Sequence, residues 1–314
     1  MEKNNKPQID LSLDDIDDEK REVAAGADIS DVSPIEPNDI EEAKDDVTTG
    51  EDTDENDIVV SDRRSPIVML FGPRSSGKSM TLVRLARYLR DKGYTISTDF
   101  TFKSIPDYHE KCDRFMEYLD TKDALPGTAY TDFLLLKVSL HGRTVCQFLE
   151  APGEHYFDQA NISAENFPHY MTHIIRSLNN RKIWVFIAEA KWNINQKTRT
   201  AYINRIRMCL RQLLKPLDSS LILYNKIDQR EELFESGRLI TNAAETIMRE
   251  EYGGLADLFK NTNPITSLWR SYNYKFVPFC TGYYSKSGNR LSYSPSEDSY
   301  PRLLWSSLLK CIKG

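Results

Sequence analysis

The first sixty residues contain no aromatic side chain and little sustained apolar periodicity. A stretch with so little to bury cannot offset the entropy lost on ordering, which excludes a packed core there. Nowhere does an apolar run approach the ~20 residues of a membrane-spanning helix, so none is expected. Cysteines are few and scattered (Cys112, Cys146, Cys209, Cys280, Cys311), with no C-x-x-C pair and no secretory signal before them. Reduced thiols in a cytoplasmic protein are the expectation. H-E-x-x-H is missing too, so His169 and His173, four apart, lack the third ligand that a zinc site demands.

Charge is divided. Residues 1–60 hold 21 of the chain's 47 acids and 5 of its 41 bases, a balance of −16, whereas 61–314 carries +10. This shift marks a domain boundary: an acidic, disordered arm over 1–60 and a folded body over 61–314. Within the arm, Ile9, Leu11, Leu13 and Ile16 form a short apolar spacing that could dock on another surface.

What is present begins with Gly72-Pro73-Arg74-Ser75-Ser76-Gly77-Lys78-Ser79, which fills G-x-x-x-x-G-K-[ST]. The apolar run Ile67–Phe71 before it reads as a strand buried on both faces, and Met80–Asp91 after it reads as a helix closed by Gly93. Strand, glycine loop and helix start make an anion cradle, because backbone N–H groups and the helix dipole converge on phosphate oxygens. Lys78 would reach the outer phosphates, and Ser79 would ligate Mg²⁺.

Further along, the pattern predicts a strand over 95–102, a helix over 107–119 and two strands, 133–140 and 144–150, joined at His141-Gly142. A helix over 171–178, a buried strand over 183–188 and a long helix over 197–215 follow. That helix carries Tyr202, Ile203, Ile206, Leu210, Leu213 and Leu214 as its core stripe. A strand over 221–224, a helical region over 240–259, a strand over 276–280 and a closing helix over 302–312 complete the reading. Alternating strands and helices with one early hairpin predict an α/β fold. Its sheet is doubly wound and mostly parallel, with helices on both faces and ligands bound at the strand C-termini. The stretch 95–126 is an insertion with no assigned role.

The strand 221–224 delivers Asn225-Lys226-Ile227-Asp228, an N-K-x-D sequence. A carboxylate there can accept both the ring N–H and the exocyclic amine of guanine, a fit that adenine lacks. With this second motif the chain resembles the translation-factor and Ras-like class of P-loop GTPases over roughly residues 65–314. The resemblance rests on Gly72–Ser79, on Glu150-Ala151-Pro152-Gly153 in place of the usual D-x-x-G, on Asn225–Asp228, and on Cys280-Thr281-Gly282 as the last base loop.

The resemblance implies GTP/GDP and Mg²⁺ as cofactors. Gly72, Ser75, Ser76, Gly77, Lys78, Ser79 and Met80 would surround the phosphates. Asn225 would tie the base loop to the phosphate loop, and Lys226 would lie against the base. Asp228, Thr281 and Gly282 would read guanine. Ser79, Glu150 and a switch threonine, Thr128 with Thr131 as runner-up, would serve the metal. Gly153 would donate its N–H to the γ-phosphate.

Three departures stand out. Glu150 is one methylene longer than the family's Asp. Glu154 stands where relatives position the attacking water, with His155 as the alternative. Arg74 replaces a small glycine and would act as an arginine finger in cis, block the water site sterically, or remain a solvated charge. The resemblance implies a molecular switch that hydrolyses GTP and signals to a protein effector or regulator, with a homo- or heterodimer left open, and the departures imply that its turnover is slow. The alternative is a pseudo-GTPase scaffold that holds GTP without turnover. An ATP-dependent enzyme is the third reading, and the guanine motif counts against it. Arg207, Arg211 and Lys215 form a basic stripe and tyrosines crowd 272–300, but neither makes a recognisable nucleic-acid module.

Overall fold

The computed structural model describes residues 58–103, 106–121, 133–162, 167–176, 178–192, 194–236, 238–269, 271–287 and 290–313. Strand β1, Ile67–Phe71, is apolar throughout and buried at every position. It runs through the glycine loop into α1, Lys78–Asp91, which lays Leu82, Leu85, Ala86 and Leu89 on the core. Arg84 on the same helix is buried, because its guanidinium bonds Ser296 O and the Asp298 carboxylate, each at 2.7 Å.

Strand β2, Thr95–Thr98, and helix α2, Pro106–Asp120, come next. The strand expected over 95–102 is shorter, because Asp99 turns the chain: its carboxylate accepts the N–H and hydroxyl of Thr101. β3, Leu134–Leu140, and β4, Arg143–Glu150, pair antiparallel around His141 and Gly142, both at positive φ, as a two-residue hairpin requires. The short α3, Gly153–Tyr156, leads to α4, His169–Arg176.

β5, Lys182–Glu189, is buried along its whole length, and α5, Gln196–Gln212, is capped by the Asn195 side chain accepting from Thr198 N. The expected stripe on α5 is modified at its end: Leu213 caps the helix and Leu214, beyond it, is exposed. β6 is Ser219–Asn225. A small antiparallel pair follows, β7 (Phe234–Glu235) with β8 (Arg238–Leu239). The helical region over 240–259 is two pieces, α6 (Thr241–Glu251) and a 3-10 turn (Ala256–Phe259), separated at Gly253-Gly254. β9, Lys275–Pro278, precedes a hairpin of β10, Gly282–Ser287, and β11, Arg290–Pro295. Helix α7, Ser299–Lys313, closes the described chain.

The central sheet has the order β2-β3-β4-β1-β5-β6-β9, antiparallel at β2-β3-β4 and parallel from β4 to β9. This is the α/β architecture with a mostly parallel sheet that the alternating pattern predicts. β2, β3 and β4 lie on one side of β1 and β5, β6 and β9 on the other, so β1 ends at a switch point, where open α/β sheets bind ligands. Ile58 and Val60 are buried in the same core, so folded structure reaches Ile58, inside the stretch that composition assigns to the arm. No helix among the described residues is long and apolar enough to cross a membrane.

Candidate functional site

The loop after β1 is built to expose backbone donors. Ser75 and Gly77 take left-handed φ values of 60° and 85°. Such alternation turns successive N–H groups into one concavity. A Cβ on Gly77 would fall 2.5 Å from Asn225 Nδ2, so this position excludes any side chain twice over. Lys78, buried, donates from Nζ to Pro73 O at 3.0 Å. Burial pushes its ammonium below the usual lysine range, and the charges of Glu150, Glu154 and Glu189 oppose that fall.

Glu150 closes β4 beside this loop, and Ser79 Oγ donates to its Oε1. Its Oε2 is buried without a hydrogen-bond partner. Burial raises the carboxyl above its usual range, against the pull of Lys78 and Ser79. The following residues lie directly on the phosphate loop: a Cβ on Gly153 would come within 2.2 Å of Arg74 N and 2.4 Å of Pro73 C. Arg74 Nε faces Glu154 Oε1 at 3.5 Å, both side chains about half exposed. His155 Nδ1 is 2.6 Å from Tyr170 OH, and Tyr170 stacks on Phe133. Met80 sits in the first turn of α1, partly buried.

The base-loop residues reach the same place from β6. Asn225 Nδ2 donates to Ser76 O at 2.9 Å, tying the two loops together. Lys226, at φ 59°, bonds Glu189 Oε2 at 2.5 Å rather than standing open. Asp228 is half-buried; burial raises its carboxyl, while a hydrogen bond from the Cys280 thiol works the other way. Thr281 and Gly282 follow Cys280 directly and are buried. Thr128 and Thr131 lie outside the described residues.

Each cation of the site therefore has a carboxylate beside it: Lys78 with Glu150, Arg74 with Glu154, Lys226 with Glu189. Glu189 was not among the residues singled out from the sequence. Its signal is an acid directly after the apolar run 183–188, at a strand C-terminus, where doubly wound sheets keep their ligands. It is fixed by Tyr252, whose hydroxyl accepts from Glu189 N at 2.6 Å and donates to Glu189 O at 3.0 Å. Burial raises the Glu189 carboxyl, and Lys226 opposes this.

Among the described residues no cluster of three or more His, Cys, Asp or Glu could hold a metal. A cation beside Ser79 would have one hydroxyl and one carboxylate from the protein, the sparse oxygen set that suits Mg²⁺ completed by phosphates and water. The orphaned Glu150 Oε2 fits that demand. A cavity of about 250 Å³ opens elsewhere, between α4 and α5, and the phosphate loop contributes nothing to its lining.

No protein-family model matches the chain, and no curated protein matches its sequence. Among solved structures it is similar to the translation elongation factor SelB from Methanococcus maripaludis, solved in complex with the GTP analogue GppNHp. The two share 12% identity, with a TM-score of 0.31, over 69% of this chain and 30% of that one. The chain thus spans less than a third of that factor, and at such a score the likeness carries no functional weight. The architecture is a mostly parallel α/β sheet whose glycine loop, β4 terminus and β6 terminus meet at one edge.

Proposed function

We propose that this chain binds guanine nucleotide at that edge and hydrolyses GTP to GDP and phosphate slowly, as a switch read by a protein partner. The observation that carries this reading is the bond from Asn225 Nδ2 to Ser76 O, which joins an anion cradle and a guanine-type carboxylate in a single site. Backbone N–H groups of residues 75–79 would hold the phosphates, and Lys78 would leave Pro73 O for the outer ones. Asp228 would accept the base's ring N–H and amine, and its raised carboxyl would be held ionised by those donors.

Ser79 and Glu150 would hold Mg²⁺, which supplies neutralising charge to the phosphates. Hydrolysis here is in-line attack of water on the γ-phosphate, favoured by positioning and by positive charge around it. Arg74 would add to that charge once a phosphate draws it from Glu154. Glu154 faces Arg74 and His155 bonds Tyr170, so neither is poised to orient a water in this conformation. That engagement supports slow turnover, and it also favours the second reading, a scaffold that holds GTP without cleaving it. Since Gly153 rests on Pro73 and Arg74, an arriving γ-phosphate must move residues 151–156, the change a partner would read.

Single-turnover incubation of nucleotide-free protein with Mg²⁺ and labelled GTP or ATP tests the reading. GTP binding with GDP appearing supports the switch, and GTP held uncleaved supports the scaffold. ATP bound in preference to GTP contradicts both.

A further inference from the structure

The tyrosine-rich stretch near the end of the chain is the β10–β11 hairpin, and it starts at Gly282, one residue past Thr281. Two hydroxyls from its return side reach back to the base loop. Tyr293 OH donates to Thr281 O at 2.8 Å, and Ser296 Oγ, buried, donates to Cys280 O at 2.6 Å. The Tyr293 ring lies against Gly282, where a Cβ would meet it at 2.5 Å and Ser294 O at 2.4 Å. Tyr284, paired with Tyr293 across the hairpin at 5.2 Å between rings, stands on the same side of the loop.

These contacts fix peptide planes. A trans peptide points its C=O and its N–H in opposite directions. The Cys280 carbonyl shares a plane with the Thr281 N–H, and the Thr281 carbonyl with the Gly282 N–H. Holding both carbonyls toward the hairpin turns both N–H groups away from it. The Cys280 thiol lies beside the Asp228 carboxylate, so the same short loop borders the acid that would read guanine.

We propose that Ser296 and Tyr293 are positioning residues for base recognition, aiming the Thr281 N–H at the 6-oxo group of a guanine held by Asp228. This rests on the nucleotide reading above and deepens it. A fixed N–H donor rewards a 6-oxo purine and meets the 6-amino group of adenine donor to donor, so it discriminates by an edge of the base that Asp228 does not touch. Ser296 acts on the plane that contains the Thr281 N–H, and Tyr293 on the next one, so Ser296 carries the larger effect.

The test is isothermal titration of the full chain with GDP, IDP and 2-aminopurine riboside diphosphate. The first two carry a 6-oxo group and the third does not. Ser296→Ala is expected to weaken GDP and IDP alike by about fivefold to tenfold, the worth of one oriented hydrogen bond, and to change the third ligand less than about twofold. Tyr293→Phe should repeat the pattern at about threefold. Thermal melting of both variants, unchanged within a few degrees, separates positioning from loss of fold. Equal losses for all three ligands, or no loss for any, overturn the brace while leaving the site reading intact. Wild-type protein that binds no GDP overturns the site reading and the brace with it.

Discussion

Two lysines are buried at opposite ends of the same sheet, Lys78 beyond the C-terminal end of β1 and Lys182 at the first position of β5. Burial lowers both ammonium groups. Their surroundings differ. Lys182 donates to Leu178 O at 2.8 Å and Asn180 O at 2.6 Å, carbonyls of its own turn, with Lys215 and Asp218 as the nearest charges. Lys78 has one carbonyl partner and three carboxylates around it, on a loop whose N–H groups converge. Lys182 is a staple held by two carbonyls. Lys78 sits among acids whose charges oppose the loss of its proton. Burial of a lysine is thus no mark of function; what its donors face decides.

The sharpest way to break this comparison is to remove each ammonium. Lys78→Ala is expected to weaken GTP binding roughly a hundredfold, the worth of a charge-assisted contact to phosphate. Lys182→Met should leave nucleotide affinity unchanged, and equal losses in a filter-binding assay would erase the distinction.

The second effect is on stability. Burial pushes Lys182 down to about 8 from 10.5, so between those values the unfolded chain binds more protons and stability rises with pH. The stability of wild type relative to Lys182→Met should grow by about 2 kcal/mol from about pH 7.5 to about pH 9.5 in urea titrations. A flat difference would mean that the carbonyls hold the ammonium at its ordinary value.

At the other end, Glu150→Gln is expected to raise the Mg²⁺ needed for half-maximal GTP binding about tenfold, read by titrating the cation at fixed nucleotide. An unmoved midpoint would take Glu150 out of the metal site. The smallest effect belongs to Arg74→Ala: kcat lowered about threefold with GTP affinity nearly constant, because the side chain is half exposed and screened. Equal kcat would leave Arg74 a solvated charge.

Much of this contrast was legible in the sequence, and the reasons for the remainder are specific. The phosphate loop and N-K-x-D are contiguous residues whose spacing alone determines how they can fold. Glu189 and Lys182 escaped because they bound the apolar run 183–188, and hydrophobic pattern stops at a charge even where the strand continues buried. The β10–β11 hairpin escaped because serines and a lysine share its strands with the tyrosines, which hides the two-residue period. Leu214 was read as core from its spacing, yet the helix ends at Gln212 and turns it outward. The division of 240–259 was signalled by Gly253-Gly254, read too weakly against the apolar periodicity around it. Thr128 and Thr131 lie outside the described residues.

If the loops after β1 and β6 form one guanine-nucleotide site, as proposed, the preference for the base resides in Asp228. Calorimetric titration of GDP and ADP, with Mg²⁺, into wild type and Asp228→Asn tests it most directly. Wild type is expected to bind GDP and not ADP, and the variant to lose most of that preference. Equal binding of ADP and GDP by wild type, or a preference untouched in Asp228→Asn, would contradict it.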